Sequence, residues 1–220
     1  MQLRVLGCSG GIGGNLRTTS LLIDHDILID AGTGVADLTL NELKQIDHVF
    51  VTHSHLDHVA CIPFLVDTVG GMRKAPIVVH ATEETTQILR SHLFNWKIWP
   101  DFSEIPNRDA PFLRFQPFRL GDVVELQARR IRSLPANHVV PAVGFHLDSG
   151  EGSLVFTGDT TTNDAASIQT GNLASIIDPA TGVQPYDLWF DATFEIGTLT
   201  DSCFVGMAAY QTPVTAAIIT

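Results

Sequence analysis

A chain of 220 residues suits one domain with a sizeable core. Apolar residues make up 45% and charged residues 17%, which excludes a disordered chain. The 13 basic and 24 acidic residues leave a net charge of −11, so no basic field is present to neutralise phosphates, which argues against a nucleic-acid partner. A small anionic substrate stays compatible, because bound metal ions would invert the charge locally.

Cys8, Cys61 and Cys203 are scattered and odd in number. They give neither a disulfide framework nor a zinc-ribbon spacing, and each reads as a small buried hydrophobe. The N-terminus opens into a strand-like run without the basic and apolar regions of a signal peptide. No apolar run is long enough to span a membrane. The expectation is a soluble, cytoplasmic protein with no membrane partner.

In chain order, residues 2–6 alternate as a strand and run into Gly7-Cys8-Ser9-Gly10-Gly11-Ile12-Gly13-Gly14-Asn15. Neither a G-K-[ST] nor a G-x-G-x-x-G that opens a helix is present, so the glycines read as a flexible loop near a site and not as a nucleotide loop. Residues 19–23 and Ile27–Ile29 form a hairpin turning at Asp24-His25-Asp26. Asp30 then reads equally well as a carboxylate orienting a ligand histidine or as a turn or cap residue. A short helix follows over residues 35–44, and a strand over 48–52. Cys61–Val69 reads as a helix, residues 76–80 as a strand ending in a core or rim histidine, and residues 83–92 as a helix capped by Thr82. Residues 101–118, rich in proline and aromatics, read as irregular. Residues 122–134 are strand-like and broken near Arg129-Arg130, residues 142–147 and 153–157 form a hairpin turning at Ser149-Gly150-Glu151-Gly152, and residues 188–190 give a last strand. Without repeats or linkers, residues 1–220 form a single domain. The order fits an α/β fold of two mixed sheets facing each other with helices outside.

The chemistry concentrates in Val49-Phe50-Val51-Thr52-His53-Ser54-His55-Leu56-Asp57-His58. An apolar run ends at Thr52, and three histidines and a carboxylate follow. Strand alternation sends His53 and His55 to one side. In the first turn of a following helix, Asp57 and His58 can point back into the same space. Four such ligands can serve two metal ions side by side, and imidazole with carboxylate suits zinc, manganese or iron. A histidine-rich surface turn is the alternative, disfavoured by the strand ahead of it. Farther on, His138 in Asn137-His138-Val139-Val140-Pro141 and Asp159 in Thr157-Gly158-Asp159-Thr160 each follow a strand. Taken singly, each is an ordinary loop residue.

The run His53-Ser54-His55-Leu56-Asp57-His58 resembles the H-x-H-x-D-H signature of the metallo-β-lactamase superfamily. The resemblance implies a four-layer αββα sandwich and makes His138 and Asp159 the next two ligands. It places His53, His55 and His138 on one metal and Asp57 and His58 on the other, with Asp159 bridging. It further implies two zinc ions, or manganese or iron, activating a water for hydrolysis of a phosphate ester, amide or lactone. Asp57 is then also the catalytic carboxylate, binding the second metal or holding the attacking water.

The segments Val79-His80-Ala81-Thr82-Glu83-Glu84-Thr85, Phe94-Asn95-Trp96-Lys97-Ile98-Trp99-Pro100-Asp101 and Asn137-His138-Val139-Val140-Pro141 resemble the class II cyclic-nucleotide phosphodiesterases. That likeness runs to about Phe194. It implies a small-molecule substrate, cAMP or cGMP, with Asn95 and Asn137 as substrate-binding residues, and leaves a homodimer open. The alternatives are a ribonuclease Z-like or other hydrolase of the same fold, and a non-catalytic metal-binding relic. Two departures stand out. Cys61 occupies a position where the family has glycine. The superfamily's last ligand, a histidine beyond Asp187-Leu188-Trp189-Phe190, has no counterpart, since no histidine follows His146 and residues 195–220 do not match the expected pattern. The expectation is an asymmetric centre whose second ion is held less tightly.

Overall fold

The structure, a computed structural model, describes residues 1–160 and the backbone of Phe194–Ile196. Its architecture follows from where the chain is apolar on both sides and where it alternates. One sheet holds β1 (Leu3–Gly7), β2 (Ser20–Ile23), β3 (Ile27–Ile29), β4 (His48–Phe50), β5 (Ile77–Thr82) and β6 (Leu113–Phe118) in that order. β1 to β3 are antiparallel, and β3 to β6 are parallel. The runs in β2 and β3 are buried throughout, as strands covered on both faces must be. The second sheet holds β7 (Val123–Leu126), β8 (Arg129–Pro135), β9 (Val143–Asp148) and β10 (Ser153–Phe156). Its described pairs are all antiparallel, so of the two sheets only the first is mixed. β8 alternates buried and exposed residues, the pattern of a sheet with one covered face. A further strand, β11 (Phe194–Ile196), lies parallel to β1. The strand expected over 188–190 lies outside the described residues, as does Cys203.

Apolar residues of the facing surfaces form the joint between the sheets. Ile23, Ile27, Ile29 and Phe50 meet Ile131, Phe145, Leu147 and Leu154. Phe145 packs edge-on against Phe50 at 5.5 Å and against Phe118 at 5.8 Å between ring centroids. At one end of the joint, Arg129 of β8 makes a bidentate pair with Asp26 (2.6 and 2.7 Å) and also reaches Asp24 at 3.2 Å. The other face of the first sheet packs under helices. These are α1 (Leu40–Leu43), α2 (Leu56–Val59), α3 (Cys61–Val69) and α4 (Glu83–Ile88), with Ile62, Leu65, Val66 and Val69 of α3 in the core. Among the described residues, no helix is long and apolar enough to cross a membrane.

Several local expectations are corrected. The helix expected over 35–44 is split into a 3-10 turn at Thr33–Asp37 and α1, because Thr39 and Glu42 form a capping box that starts a new helix. The helix expected over 83–92 ends at Ile88 and continues as a π-type turn over Leu89–Leu93; Thr82 caps it, accepting from the Thr85 amide. Residues 113–118 are a strand and not irregular. Residues 122–134 form a hairpin turning at Gln127-Ala128, where Gln127 adopts the left-handed conformation at φ 57°. Cys61 is a buried free thiol, and Cys8 is half-buried.

Candidate metal centre

The centre forms where strands of both sheets end. From the first sheet, β4 stops at Phe50 and its chain continues as Val51-Thr52-His53-Ser54-His55 into α2. The segment is held by backbone bonds: Val51 N–H donates to His80 O (2.8 Å), Ala31 N–H to His58 O (2.6 Å) and Cys61 N–H to Ala31 O (2.8 Å). His55 is the residue before the first turn of α2, so Asp57 and His58 fall in that turn. Gly32 lies against it. A Cβ at Gly32 would collide with the Asp57 carbonyl oxygen and the Thr18 hydroxyl. From the second sheet, His138 follows β8 and Asp159 follows β10. Gly158, at φ 62°, turns the chain just before Asp159, with Thr52 alongside. Val143 N–H donates to Thr52 O (3.0 Å) and ties the two contributions together.

Three imidazoles converge. His53 Nε2 and His138 Nε2 each lie 3.1 Å from His55 Nδ1, with the three rings nearly perpendicular to one another. Beside them, His58 Nε2 lies 3.6 Å from both Asp57 Oδ2 and Asp159 Oδ1. Two donor sets result, one of His53, His55 and His138, the other of His53, His58 and Asp159. His53 therefore stands between them, and Asp57 adjoins the second. All six residues expected to be ligands are brought to one place.

Behind the rings lies one carboxylate. Asp30 is fully buried in a left-handed conformation at φ 57°. Its Oδ1 accepts from Thr52 N–H (2.8 Å), and its Oδ2 accepts from the Thr52 hydroxyl (2.8 Å) and from His58 Nδ1–H (2.7 Å). Since Thr52 Oγ1 spends its proton on Asp30, it can only accept from His53 Nδ1–H, 3.0 Å away. Both Nε2 atoms are then left with lone pairs facing the centre. Burial and the neighbouring rings push the His53 pKa down to about 3, so its ring is neutral. Burial also lowers His58, but the hydrogen bond and charge of Asp30 outweigh it and leave its pKa raised.

The residues fit a divalent metal. Single protons cannot satisfy three mutually facing ring nitrogens, one of which has two ring nitrogens at 3.1 Å, whereas one cation satisfies them all. Carboxylate–histidine support behind the ligands is also what metal sites require. Of the two asparagines, Asn95 is committed to its own loop: its Oδ1 accepts from Lys97 and Ile98 N–H and its Nδ2 donates to Ser91 O. Asn137 is exposed beside His138, and its N–H donates to Thr160 Oγ1 (3.2 Å). Sequence reading missed Thr52; a hydroxyl at the junction of a buried strand and a histidine motif was the available signal.

A model of the beta-lactamase superfamily domain matches residues 25–212. A ribonuclease Z of Haloarcula marismortui is 29% identical over 163 residues, 69% of this chain and 48% of that one. A 3',5'-cyclic-nucleotide phosphodiesterase of Aliivibrio fischeri is 26% identical over 188 residues, 70% of this chain and 55% of that one. The chain thus spans about half the length of these curated relatives. Among solved structures, unliganded yeast PDE1 superposes with a TM-score of 0.59 at 15% identity, over 76% of this chain and 67% of that one, a likeness of fold.

Proposed function

The chain belongs to the beta-lactamase superfamily, and on that premise we propose that it is a metal-dependent phosphodiesterase that opens cyclic nucleotides. The observation that carries the hydrolase reading is the pair of adjoining donor sets sharing His53. Divalent ions held there, zinc above all or else manganese or iron, would lower the pKa of a water to about 7 and would offset charge on the phosphoryl group.

The chain's own residues do the rest. His53, His55 and His138 form one cradle, and His58, Asp57 and Asp159 the other. Asp57, partly exposed and 3.6 Å from His58 Nε2, is placed to accept hydrogen from the attacking water and to orient it. In the reaction, water oxygen bonds to phosphorus, one ester P–O bond breaks, and the departing oxygen takes up a proton. Buried Asp30 and Thr52 keep the histidine lone pairs aimed inward throughout.

The cyclic-nucleotide part is supported by the likeness to the Aliivibrio fischeri phosphodiesterase and by the Phe94-Asn95-Trp96-Lys97-Ile98-Trp99-Pro100 segment. A second reading, an RNA phosphodiesterase, is favoured by the Haloarcula marismortui relative and opposed by the net charge of −11. Elemental analysis alongside hydrolysis of cAMP, cGMP, bis-p-nitrophenyl phosphate and a structured RNA separates them. Bound metal with turnover of the cyclic nucleotides supports the proposal. RNA cleavage without it supports the second reading, and no turnover of any substrate by metal-loaded protein removes both.

A further inference from the structure

The joint between the two sheets holds two histidines that the catalytic reading leaves unused. His80, on β5, is 97% buried, stacked on Phe50 at 4.3 Å with the rings 6° from parallel. Its Nε2 lies 3.1 Å from Nδ1 of the half-buried His48 on β4. Its Nδ1 has no partner among the described residues. With both rings neutral, one proton lies between them, and either choice leaves His80 Nδ1 unsatisfied, as an idle donor or an idle lone pair. A proton placed on His80 makes it a cation in an apolar layer, whereas one placed on His48 meets Asp26 and Asp47.

No carboxylate compensates that cation. The charged groups around the pair are Asp26 from the β2–β3 turn, Asp47 ahead of β4, Arg73 beyond α3 and Arg129 from β8, and all four act on His48. Only His48 itself acts on His80. On the same side of the first sheet, β6 brings Arg114 level with Val78, a further cation. Across the joint, Phe50 is backed by the apolar ring of Phe145.

The position matters because the donor set is divided between the sheets. His53, His55, Asp57 and His58 leave the first, and His138 and Asp159 leave the second. We propose that the His48–His80 pair is an acid-sensitive joint between the sheets, in which protonation of His80 undoes the packing that holds the two parts of the donor set together. The neutral pair is the form the fold accepts. Burial holds His80 near a pKa of about 3, while the unfolded chain takes its proton near 6.5. Stability from the pair is therefore complete above the unfolded value and is lost as pH falls from there toward the folded one.

Urea unfolding of the full chain between about pH 4.5 and 7.5 tests this, with chelator throughout so that metal release does not contribute. Wild type and H80F, which keeps the stack on Phe50, are compared at each pH. The expected result is a wild-type to H80F ratio of folding constants that is flat above about pH 6.5 and falls about tenfold per unit below it. A ratio independent of pH overturns the proposal. If H80F does not fold, the ring resonances of His80 in wild type decide. A neutral ring persisting below about pH 5 supports the joint, and an ordinary midpoint near 6.5 overturns it.

Discussion

Asp30 sets the proton of His53 without touching it. The Thr52 hydroxyl donates to Asp30 Oδ2 at 2.8 Å and must therefore accept from His53 Nδ1–H at 3.0 Å. The same Oδ2 takes His58 Nδ1–H, so one carboxylate orients a ring in each donor set. Asparagine tolerates the left-handed backbone of position 30, and its carbonyl can keep only part of these bonds. Asp30→Asn should leave the fold in place and weaken metal binding about 10–100-fold. Calorimetric titration with zinc checks it; wild-type affinity would mean that the rings are oriented by something else.

His55 Nδ1 faces both His53 Nε2 and His138 Nε2 at 3.1 Å, so it is the ligand whose loss opens that set most. His55→Ala should lose the metal held there and reduce phosphodiester hydrolysis at least about 100-fold. Metal retained at wild-type stoichiometry in elemental analysis would remove His55 from the ligand set.

Asp57 is 31% exposed and packs little, so its contribution lies in chemistry more than in folding. Asp57→Asn should change unfolding free energy by no more than about 0.5 kcal/mol. It should lower kcat by about 100-fold or more. Parent-rate hydrolysis by the variant would show that the carboxylate neither holds water nor binds the second ion.

The Asp26–Arg129 pair makes a separate statement about pH. Burial pushes the Asp26 carboxyl up, but the hydrogen bonds and charge of Arg129 outweigh it and hold its pKa below the usual 3.8. Its stabilisation is thus present above the unfolded value and is lost as pH falls through the lower folded one. Asp26→Ala leaves the guanidinium only its 3.2 Å contact with Asp24 and should cost about 1–3 kcal/mol at neutral pH. Adding Arg129→Met should recover part of that in urea denaturation.

Four of the six candidate ligands were legible as a contiguous run, because a strand end followed by a helix start packs donors tightly in sequence. His138 and Asp159 stand alone in their loops and read as ligands only through the family likeness; folding, not spacing, brings them in. Asp30 was legible as a candidate but undecided, since its role depends on a left-handed backbone and a hydroxyl at Thr52. Residues 113–118 misled for a physical reason. Pro117 argues against a strand, but among the described residues β6 is an edge strand, where an amide donor missing on the outer side costs no ladder bond. The capping box of Thr39 and Glu42 was present in the sequence, and it outweighed the apolar pattern that suggested one longer helix.

The two donor sets among the described residues differ in their share of imidazoles. Beside His53, which the sets share, the second set offers one imidazole, His58, with the carboxylates Asp57 and Asp159, against the further imidazoles His55 and His138 of the first. Titration of the chain with zinc or manganese should resolve two events about 10–100-fold apart in affinity, with hydrolysis rising on the second. Two equally tight events would show that another group completes the set.

The close fit at Gly32 translates into mutational tolerance. Gly10 and Gly11 have no atom within 4 Å of where a side chain would begin, whereas at Gly32 the first carbon would strike Asp57 and Thr18. A library saturated at all three positions and selected for hydrolysis should return nearly every amino acid at the first two and glycine alone at the third. The most demanding residue of the centre is then one that donates nothing to a metal or a substrate, and its contribution is to leave room.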